Sequence, residues 1–221
     1  MRGRFITFEG GEASGKSTQA RLLVETLRSY GFDVLLTREP GGSPGAEIIR
    51  HVILSGAAQP LGADAEAILF AAARDDHVRA TIEPALQAGR WVVCDRFLDS
   101  TRVYQGIVGH VDARLIRGLE RITVGDTMPD LTFIMDVPAE VGMERATGRR
   151  RGAAMDRYEA ESIDFHERLR RAFAALAKLD AERCVMIDAA QPRDIVQGRI
   201  WRIVSERFAI ESSAAVRMSA P

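Results

Sequence analysis

The chain has 221 residues, of which 46% are hydrophobic, a length and composition that suit one domain with a sizeable core. Thirty basic residues nearly balance thirty-one acidic ones, and the net charge of -1 argues against a protein that binds nucleic acid or an anionic membrane through its overall field. No apolar run approaches the ~20 residues of a membrane-spanning helix, and the N-terminal run is too short for a signal peptide, so we expect a cytoplasmic protein.

Five short apolar runs, rich in β-branched and aromatic residues, predict five strands. In chain order they are Phe5–Phe8, Val34–Leu36, Trp91–Cys94, Leu131–Met135 and Cys184–Ile187. A polar turn and a helical pattern follow each run. Strands that alternate with helices indicate an α/β fold in which a five-stranded parallel sheet is flanked by helices on both faces. We expect a single domain over residues 1–208 and a flexible tail over residues 209–221.

A phosphate-binding motif lies between the first predicted strand and the first predicted helix. Residues 10–17 read GGEASGKS and match G-x-x-x-x-G-K-[ST], which favours a P-loop NTPase. Gly10 and Gly15 let the backbone turn its N–H groups inward, and the helix N-terminus adds partial positive charge. Lys16 should reach the β- and γ-phosphates, and Ser17 should ligate Mg²⁺. The alternative is a glycine turn that caps an ordinary helix, with Ser14 as the N-cap and Lys16 in solvent.

This motif defines the predicted donor site. The expected ATP-binding residues are Gly10, Gly11, Glu12, Ala13, Ser14, Gly15, Lys16, Ser17 and Thr18. A carboxylate and a guanidinium, Asp95 and Arg96, then end the third predicted strand, where side chains emerge at the ligand-binding edge of an open α/β sheet. Asp95 is expected near the Mg²⁺ and Arg96 beside an anion. The sequence contains no Asn, so it lacks the guanine-reading N-K-x-D motif.

Four stretches of the chain resemble the thymidylate kinase family. They are the REPGG loop at Arg38–Gly42, the base-binding helix with Phe70, Arg74, Asp76 and His77, the DRF segment with its following ST and YQG residues at Asp95–Gly106, and the DRYE residues 156–159 at the end of a lid. The resemblance covers residues 4–200. It implies a nucleoside monophosphate kinase-like fold with a lid at about residues 145–158.

The resemblance also implies an activity. An enzyme of this family phosphorylates thymidine 5′-monophosphate to the diphosphate with ATP and Mg²⁺, in the synthesis of dTTP, and the family suggests a homodimer. The expected partners are therefore these two nucleotides and a second copy of the chain. A kinase for another nucleoside or nucleoside monophosphate is the nearest alternative. A P-loop ATPase or regulatory switch, with water as the acceptor, is less favoured.

The resemblance implies nine acceptor-binding residues. They are Glu12, Arg38, Phe70, Arg74, Arg96, Ser100, Thr101, Tyr104 and Gln105. Phe70 and Arg74 are four residues apart on a predicted helix, so the ring can stack on a base while the guanidinium donates to a base carbonyl. Arg38 and Arg96 can each grip phosphate oxygens in a bidentate manner.

Two further acceptor roles are carried over from the family. An acid at the position of Glu12 contacts the 3′-hydroxyl of the sugar, and a residue at the position of Tyr104 crowds the sugar C2′ and so favours deoxyribose. A half-buried helix residue with no contact to substrate is the alternative for Tyr104.

The catalytic arginine is expected in the lid. Transfer between phosphates needs positive charge and geometry more than a strong base. One branch of the family carries an arginine at position 13, where this chain has Ala13, and the other branch places it in the lid, which points to Arg149 with Arg145 and Arg157 as helpers. A solvated basic face is the alternative reading of residues 149–151. The predicted catalytic set is Lys16, Asp95, Arg96 and Arg149, and the predicted Mg²⁺ ligands are Ser17 and Asp95.

Overall fold

The computed structural model describes residues 2–149, 158 and 161–210. Its five strands are β1 (Phe5–Glu9), β2 (Val34–Arg38), β3 (Trp91–Asp95), β4 (Leu131–Asp136) and β5 (Cys184–Asp188). They form one parallel sheet in the order β2-β3-β1-β4-β5. All five predicted strands are confirmed.

Each strand runs one or two residues further at its carboxyl end than the apolar run that predicts it. The register explains this, because the ladder continues through the polar residues that end the strands. Asp95 pairs with Arg38 on one side and with Phe8 on the other, and Asp136 pairs with Asp188. The charged strand ends therefore meet at one edge of the sheet, which is where open α/β folds bind ligands.

The helices of the described ranges connect these strands. They are α1 (Lys16–Ser29), α2 (Pro44–Leu54), α3 (Gly62–His77), α4 (Glu83–Gln87), α5 (Leu98–Thr101), α6 (Ala113–Thr123), α7 (Ala139–Arg149), α8 (Ile163–Leu179) and α9 (Arg193–Arg207). A π-helical segment, Val78–Ile82, joins α3 to α4, and another, Arg102–Val108, extends α5.

Apolar layers cover both faces of the sheet. On one face, Leu23 and Leu27 of α1 and Val204 of α9 pack with Phe8 and Phe133. The predicted apolar face of α1 is confirmed, because Ala20, Leu23, Val24 and Leu27 are all buried. The sheet is thus held rigidly between layers, and its carboxyl edge can place side chains accurately.

The opposite face has two clusters. Val92 and Cys94 of β3 pack there with residues from α4 and α5, and Ile134 of β4 packs with Leu169 and Phe173 of α8. Of the residues that define the predicted face of α8, Leu169, Phe173 and Leu176 are buried and Phe165 is half-buried. None of the helices in the described ranges has the length and apolar character needed to cross a membrane.

Candidate active site

A cavity of about 760 Å³ opens at the carboxyl edge of the sheet, within the size range of ligand sites. Most of the predicted site residues line it together: Glu12, Ala13, Ser14, Gly15, Lys16, Ser17, Thr18, Arg38, Phe70, Asp95, Arg96, Ser100, Thr101, Tyr104 and Gln105. Gly10 and Gly11 line instead a smaller cavity of about 160 Å³, which lies between the loop, β4, α7 and α8. Arg74 lines neither cavity.

The loop that precedes α1 has the backbone of a phosphate cradle. Gly10 and Gly15 have φ values of 129° and 92°, in the region that favours glycine. A Cβ on Gly10 would lie 2.5 Å from the carbonyl oxygen of Met135. Gly15 is the N-cap of α1 and Ser14 instead donates to the Gly11 carbonyl, so the alternative with Ser14 as the helix cap is wrong.

Lys16 is buried inside this loop rather than solvated. Its Nζ donates to the carbonyl oxygens of Gly10 and Gly11 at 3.2 and 2.5 Å and to Ser14 Oγ at 3.3 Å. Burial and the nearby charge of Arg96 lower the pKa of Lys16 to about 8, although neighbouring carboxylates oppose the shift. The three hydrogen-bond acceptors of Lys16 are neutral oxygens, which charged phosphate oxygens could replace.

Two oxygen-bearing side chains meet at the start of α1 and the end of β3. Ser17 Oγ donates to Asp95 Oδ2, while Asp95 Oδ1 is buried without a hydrogen-bond partner in the described part of the chain. A desolvated carboxylate oxygen of this kind fits a hard divalent cation. Within the same residues there is no group of three or more His, Cys, Asp or Glu side chains that could hold a metal alone. Ser17 and Asp95 therefore fit a cation that is shared with nucleotide phosphates.

Arg96 lies between the loop and the π-helical segment. Its Nη1 donates to the Gly10 carbonyl at 3.1 Å, and its Nη2 forms an ion pair with Glu12. The guanidinium carbon lies 5.2 Å from the centre of the Tyr104 ring, which is a cation–π distance. Tyr104 Oη donates to Glu12 Oε1 at 2.9 Å. Although burial alone would raise the pKa of Glu12, Arg96, Lys16 and Tyr104 lower it to about 2, so Glu12 is an anion at neutral pH.

Arg74 is predicted to reach a base but is largely engaged by the protein. It is 2% exposed, and its Nε donates to Glu39 Oε2 at 2.8 Å. Its Nη2 donates to the Phe97 carbonyl at 3.1 Å and to Thr101 Oγ1 at 3.0 Å. Its Nη1 has no hydrogen bond to a described residue. Four residues before Arg74 on α3, Phe70 is half-buried and lines the large cavity.

Glu39 joins the Arg38–Gly42 loop to α3. Besides Arg74, it binds His77, whose Nδ1 lies 3.0 Å from Glu39 Oε1 and whose Nε2 lies 2.7 Å from Thr37 Oγ1. His77 is thus fully buried as a hydrogen-bonding residue. Gly42, with a φ of 86°, is required beside it because a Cβ there would lie 2.4 Å from His77 Nε2. The loop is fixed in place by α3.

Several residues at the site are not among the predicted ones, and Glu9, Glu39 and Tyr158 are the most informative of them. Tyr158 lines the large cavity, accepts a hydrogen bond of 3.1 Å from Gln105 Nε2, and sets its ring edge-on to Tyr104 at 5.2 Å. The sequence signal for Tyr158 is its place in the DRYE motif. Glu9 ends β1 as Asp95 ends β3, so the same strand-end argument could have found it.

Glu9 is fully buried, and its carboxylate binds the turn after β3. Burial and repulsion from Asp99 raise the pKa of Glu9 to about 7, although Ser100, Arg96 and the Phe97 amide oppose the shift. The contacts of Glu39 and Glu9 span 35 to 91 residues along the chain, so spacing gives no hint of them.

The predicted lid is only partly described. Helix α7 continues through Arg149, but the side chain of Arg149 lies outside the described part of the structure. Residues 150–157, which include Arg157, also lie outside it. Arg145 is described, and its Nη1 donates to the Ala189 carbonyl at 2.9 Å, next to the loop after β5. The role of Arg149 stays a prediction. On the acceptor side, Arg38 is exposed at the cavity and paired with Glu47 at 2.9 Å.

Comparisons with known proteins agree with this geometry. The thymidylate kinase family model matches residues 8–200. The chain is 58% identical to the thymidylate kinase of Nitrobacter winogradskyi, over 99% of this chain and 95% of that protein, and 57% identical to one from a Bradyrhizobium species, over 97% and 95%. The crystal structure of Ehrlichia chaffeensis thymidylate kinase, 34% identical, matches with a TM-score of 0.74 over 92% of this chain and 99% of that chain, which confirms the fold class. By family, sheet topology and phosphate loop, this chain belongs to the thymidylate kinases.

Proposed function

We propose that this protein transfers the γ-phosphoryl group of ATP to thymidine 5′-monophosphate, with Mg²⁺, and so supplies the diphosphate for dTTP synthesis. One observation carries the proposal. A single cavity brings most of the phosphate loop and the Ser17–Asp95 pair together with two arginines, a half-buried acid and an aromatic wall. Donor and acceptor anions can therefore meet in one site.

The donor side is formed by residues 10–18. The glycine turns of the loop and the N-terminus of α1 favour a triphosphate, and Lys16 lies where its ammonium can leave loop carbonyls for phosphate oxygens. Ser17 and Asp95 would hold the Mg²⁺, which when bound neutralises charge on the β- and γ-phosphates. The orphaned Asp95 Oδ1 supports this assignment.

The acceptor side is formed by β2, α3 and the segment after β3. Arg38 and Arg96 are assigned to the monophosphate, and Glu12 to the 3′-hydroxyl of the sugar. Tyr104 is assigned to the space beside C2′. These roles are supported by the shared cavity and by the ionised state of Glu12.

The base is assigned to the region beside α3. Phe70 offers a ring to stack on. Arg74 does not line the cavity, but its Nη1 makes no hydrogen bond to a described residue and is assigned as the donor for a base carbonyl. Thr101 and Gln105 complete this wall. Because Glu39 and Thr101 hold the remaining nitrogens of Arg74, the guanidinium is oriented before the substrate arrives.

Catalysis by this chain needs positioning and charge. The acceptor phosphate carries its own nucleophilic oxygen, so the protein has to hold two anions in line and offset their repulsion. Lys16 and Arg96 provide positive charge from the two sides of the site, and Arg149 is assigned to span both phosphates from the lid.

A coupled assay over all common nucleoside monophosphates tests the function. We expect kcat/KM for thymidine monophosphate to exceed that for any other acceptor, and no sustained ATP hydrolysis without an acceptor. Lys16→Ala serves as the matched inactive control, since it removes the ammonium that binds the donor phosphates. Preference for another acceptor, or wild-type turnover by Lys16→Ala, would contradict the assignment.

We also propose a cytoplasmic homodimer. Support for the dimer comes from α2 and α3, which pack together and leave Ile48 and Ile68 exposed, with Leu61 exposed in the 3₁₀ turn just before α3. Exposed aliphatic side chains on two helices that pack together favour contact with another protein surface.

A further inference from the structure

Glu9 is a fully buried carboxylate whose two oxygens both serve the turn after β3. Oε1 accepts hydrogen bonds from the backbone N–H of Phe97 at 2.7 Å and of Ser100 at 3.2 Å. Oε2 accepts from the hydroxyl of Ser100 at 2.6 Å. One side chain at the end of β1 thus fixes both ends of the four-residue turn.

Arg96 is the residue that most needs this support. Its φ of 68° lies in the left-handed region, which a non-glycine residue keeps only when its surroundings fix it. Its own amide donates to the Phe8 carbonyl at 2.8 Å, and the next amide, of Phe97, is the one that Glu9 binds. The backbone of Arg96 is therefore held from both sides by the end of β1.

The guanidinium of Arg96 is connected to Glu9 through one hydroxyl. Arg96 Nη1 donates to Ser100 Oγ at 3.3 Å, and the same hydroxyl donates its proton to Glu9. A hydroxyl whose proton is committed to Glu9 presents its lone pairs to Arg96. The side chain and the backbone of Arg96 are both set by the same carboxylate.

We propose that Glu9 is a positioning residue, which aims the Arg96 guanidinium at the phosphate of the acceptor through Ser100 and the turn from Phe97. This inference rests on the proposed function, because it takes Arg96 as a ligand of the acceptor phosphate. The two carboxyl oxygens of Glu9 accept all three hydrogen bonds from the turn, whereas an amide at this position has only one accepting atom and could not take the Ser100 proton as well.

The test is a steady-state comparison of Glu9→Gln with the wild type. Gln keeps the shape of Glu9 but replaces one acceptor oxygen by an NH₂ donor, so Arg96 loses its orientation while the donor site is untouched. We expect KM for thymidine monophosphate to rise about tenfold and KM for ATP to change less than about twofold. Ser100→Ala, which cuts only the hydroxyl path, should raise the same KM by about threefold.

Asp130→Asn is the matched control. Asp130 Oδ2 also accepts a backbone hydrogen bond from β1, of 2.7 Å from Phe5 N–H, but at the opposite end of the strand. This variant should leave both KM values within about twofold of the wild type. Arg96→Ala shows the effect of losing the guanidinium itself, and it should raise KM for thymidine monophosphate at least as much as Glu9→Gln does.

The outcomes separate the two proposals. If the wild type does not phosphorylate thymidine monophosphate, the proposed function fails, and the role of Glu9 fails with it. If the wild type is active, three results would overturn the positioning role alone. Glu9→Gln could keep both KM values of the wild type, it could raise both KM values equally, or Arg96→Ala could leave KM for thymidine monophosphate unchanged. Should Glu9→Gln not fold, an unchanged KM for thymidine monophosphate in Ser100→Ala would overturn it.

Discussion

Two glutamates three residues apart show how partners decide the charge of a buried acid. Glu12 lies close to three donors or cations, and despite its partial burial Arg96, Lys16 and Tyr104 lower its pKa to about 2. Glu9 is buried near Asp99, and its partners do not compensate, so its pKa rises to about 7. Both acids serve the same arginine, one from each side.

The raised pKa of Glu9 predicts a pH-dependent stability difference. The ordinary pKa is 4.5 and the folded value is about 7, so between these pH values the folded state binds the extra proton and loses stability as pH rises. Glu9→Gln removes this titration. We expect the Tm of Glu9→Gln, minus that of the wild type, to rise between about pH 5 and pH 7.5 and to be constant above. Thermal unfolding followed by circular dichroism measures it, and a difference independent of pH would contradict it.

The place of a residue in the cavity could be predicted where a motif fixes both the residue and its neighbourhood. Lys16 and Ser17 follow from eight consecutive residues, and Asp95 from its place at a strand end. Glu39 could not be predicted, since its partners Arg74 and His77 lie 35 and 38 residues away and meet it only once α3 packs beside β2.

Among the secondary-structure elements, the π-helical segment Arg102–Val108 departs most from what periodicity predicts. A helix with a regular period buries one face, whereas here Val103, Tyr104 and Gln105 are buried in succession. Wider turns of this kind often occur at functional sites. The sequence identifies Tyr104 and Gln105 by family motif, but no pattern in it reveals that both side chains turn inward.

A buried ion pair connects helix α5 to the sheet. Arg183, just before β5, donates from Nη1 and Nη2 to the two oxygens of Asp99 at 2.7 and 2.9 Å. Its Nη1 also donates to Thr132 Oγ1 of β4 at 2.6 Å, and Arg102 contacts Asp99 at 3.2 Å. Asp99 is fully buried, so this pair links two strands to the element that follows Arg96.

Breaking that pair should be costly. We expect Arg183→Met to lower the free energy of unfolding by about 3 kcal/mol, because Asp99 is left buried with only Arg102. Urea denaturation measures the loss. The control is Arg170→Met, which breaks a bidentate but more exposed pair with Asp136 and should cost below about 1 kcal/mol. Equal losses in the two variants would show that burial of Asp99 does not set the cost.

For the whole molecule, the alternation of apolar runs with helical patterns was enough to predict a five-stranded parallel sheet with helices on both faces. The strand order β2-β3-β1-β4-β5 could not be predicted in this way, because the sequence of each run is typical of a buried strand whichever strands lie beside it. The meeting of the strand ends in one cavity follows from the fold class. The far wall of that cavity includes Arg50 of α2 and Phe70 of α3, whose positions depend on how these helices pack.

The proposed homodimer can be tested through its exposed aliphatic residues. Ile48 on α2 is 71% exposed, and Ile195 on α9, on the other side of the sheet, is 61% exposed. We expect Ile48→Lys to shift the protein from dimer to monomer in sedimentation velocity, since a charge would have to be buried in the contact. Ile195→Lys should sediment as the wild type does. A dimer that survives Ile48→Lys, or one that is lost in Ile195→Lys, would place the interface elsewhere.

The ion pair between Arg96 and Glu12 affects how the phosphate and the sugar of the acceptor are recognised together. The two groups form an ion pair, and Tyr104 also donates to Glu12 while Arg96 also donates to Gly10 and Ser100. Under the proposed function, a nucleotide breaks this internal pair once and replaces both halves, its phosphate taking the guanidinium and its 3′-hydroxyl taking the carboxylate. A nucleoside without phosphate, or phosphate without sugar, breaks the same pair but compensates only one half. The site thereby favours an intact nucleotide over its fragments by more than the sum of their separate contacts.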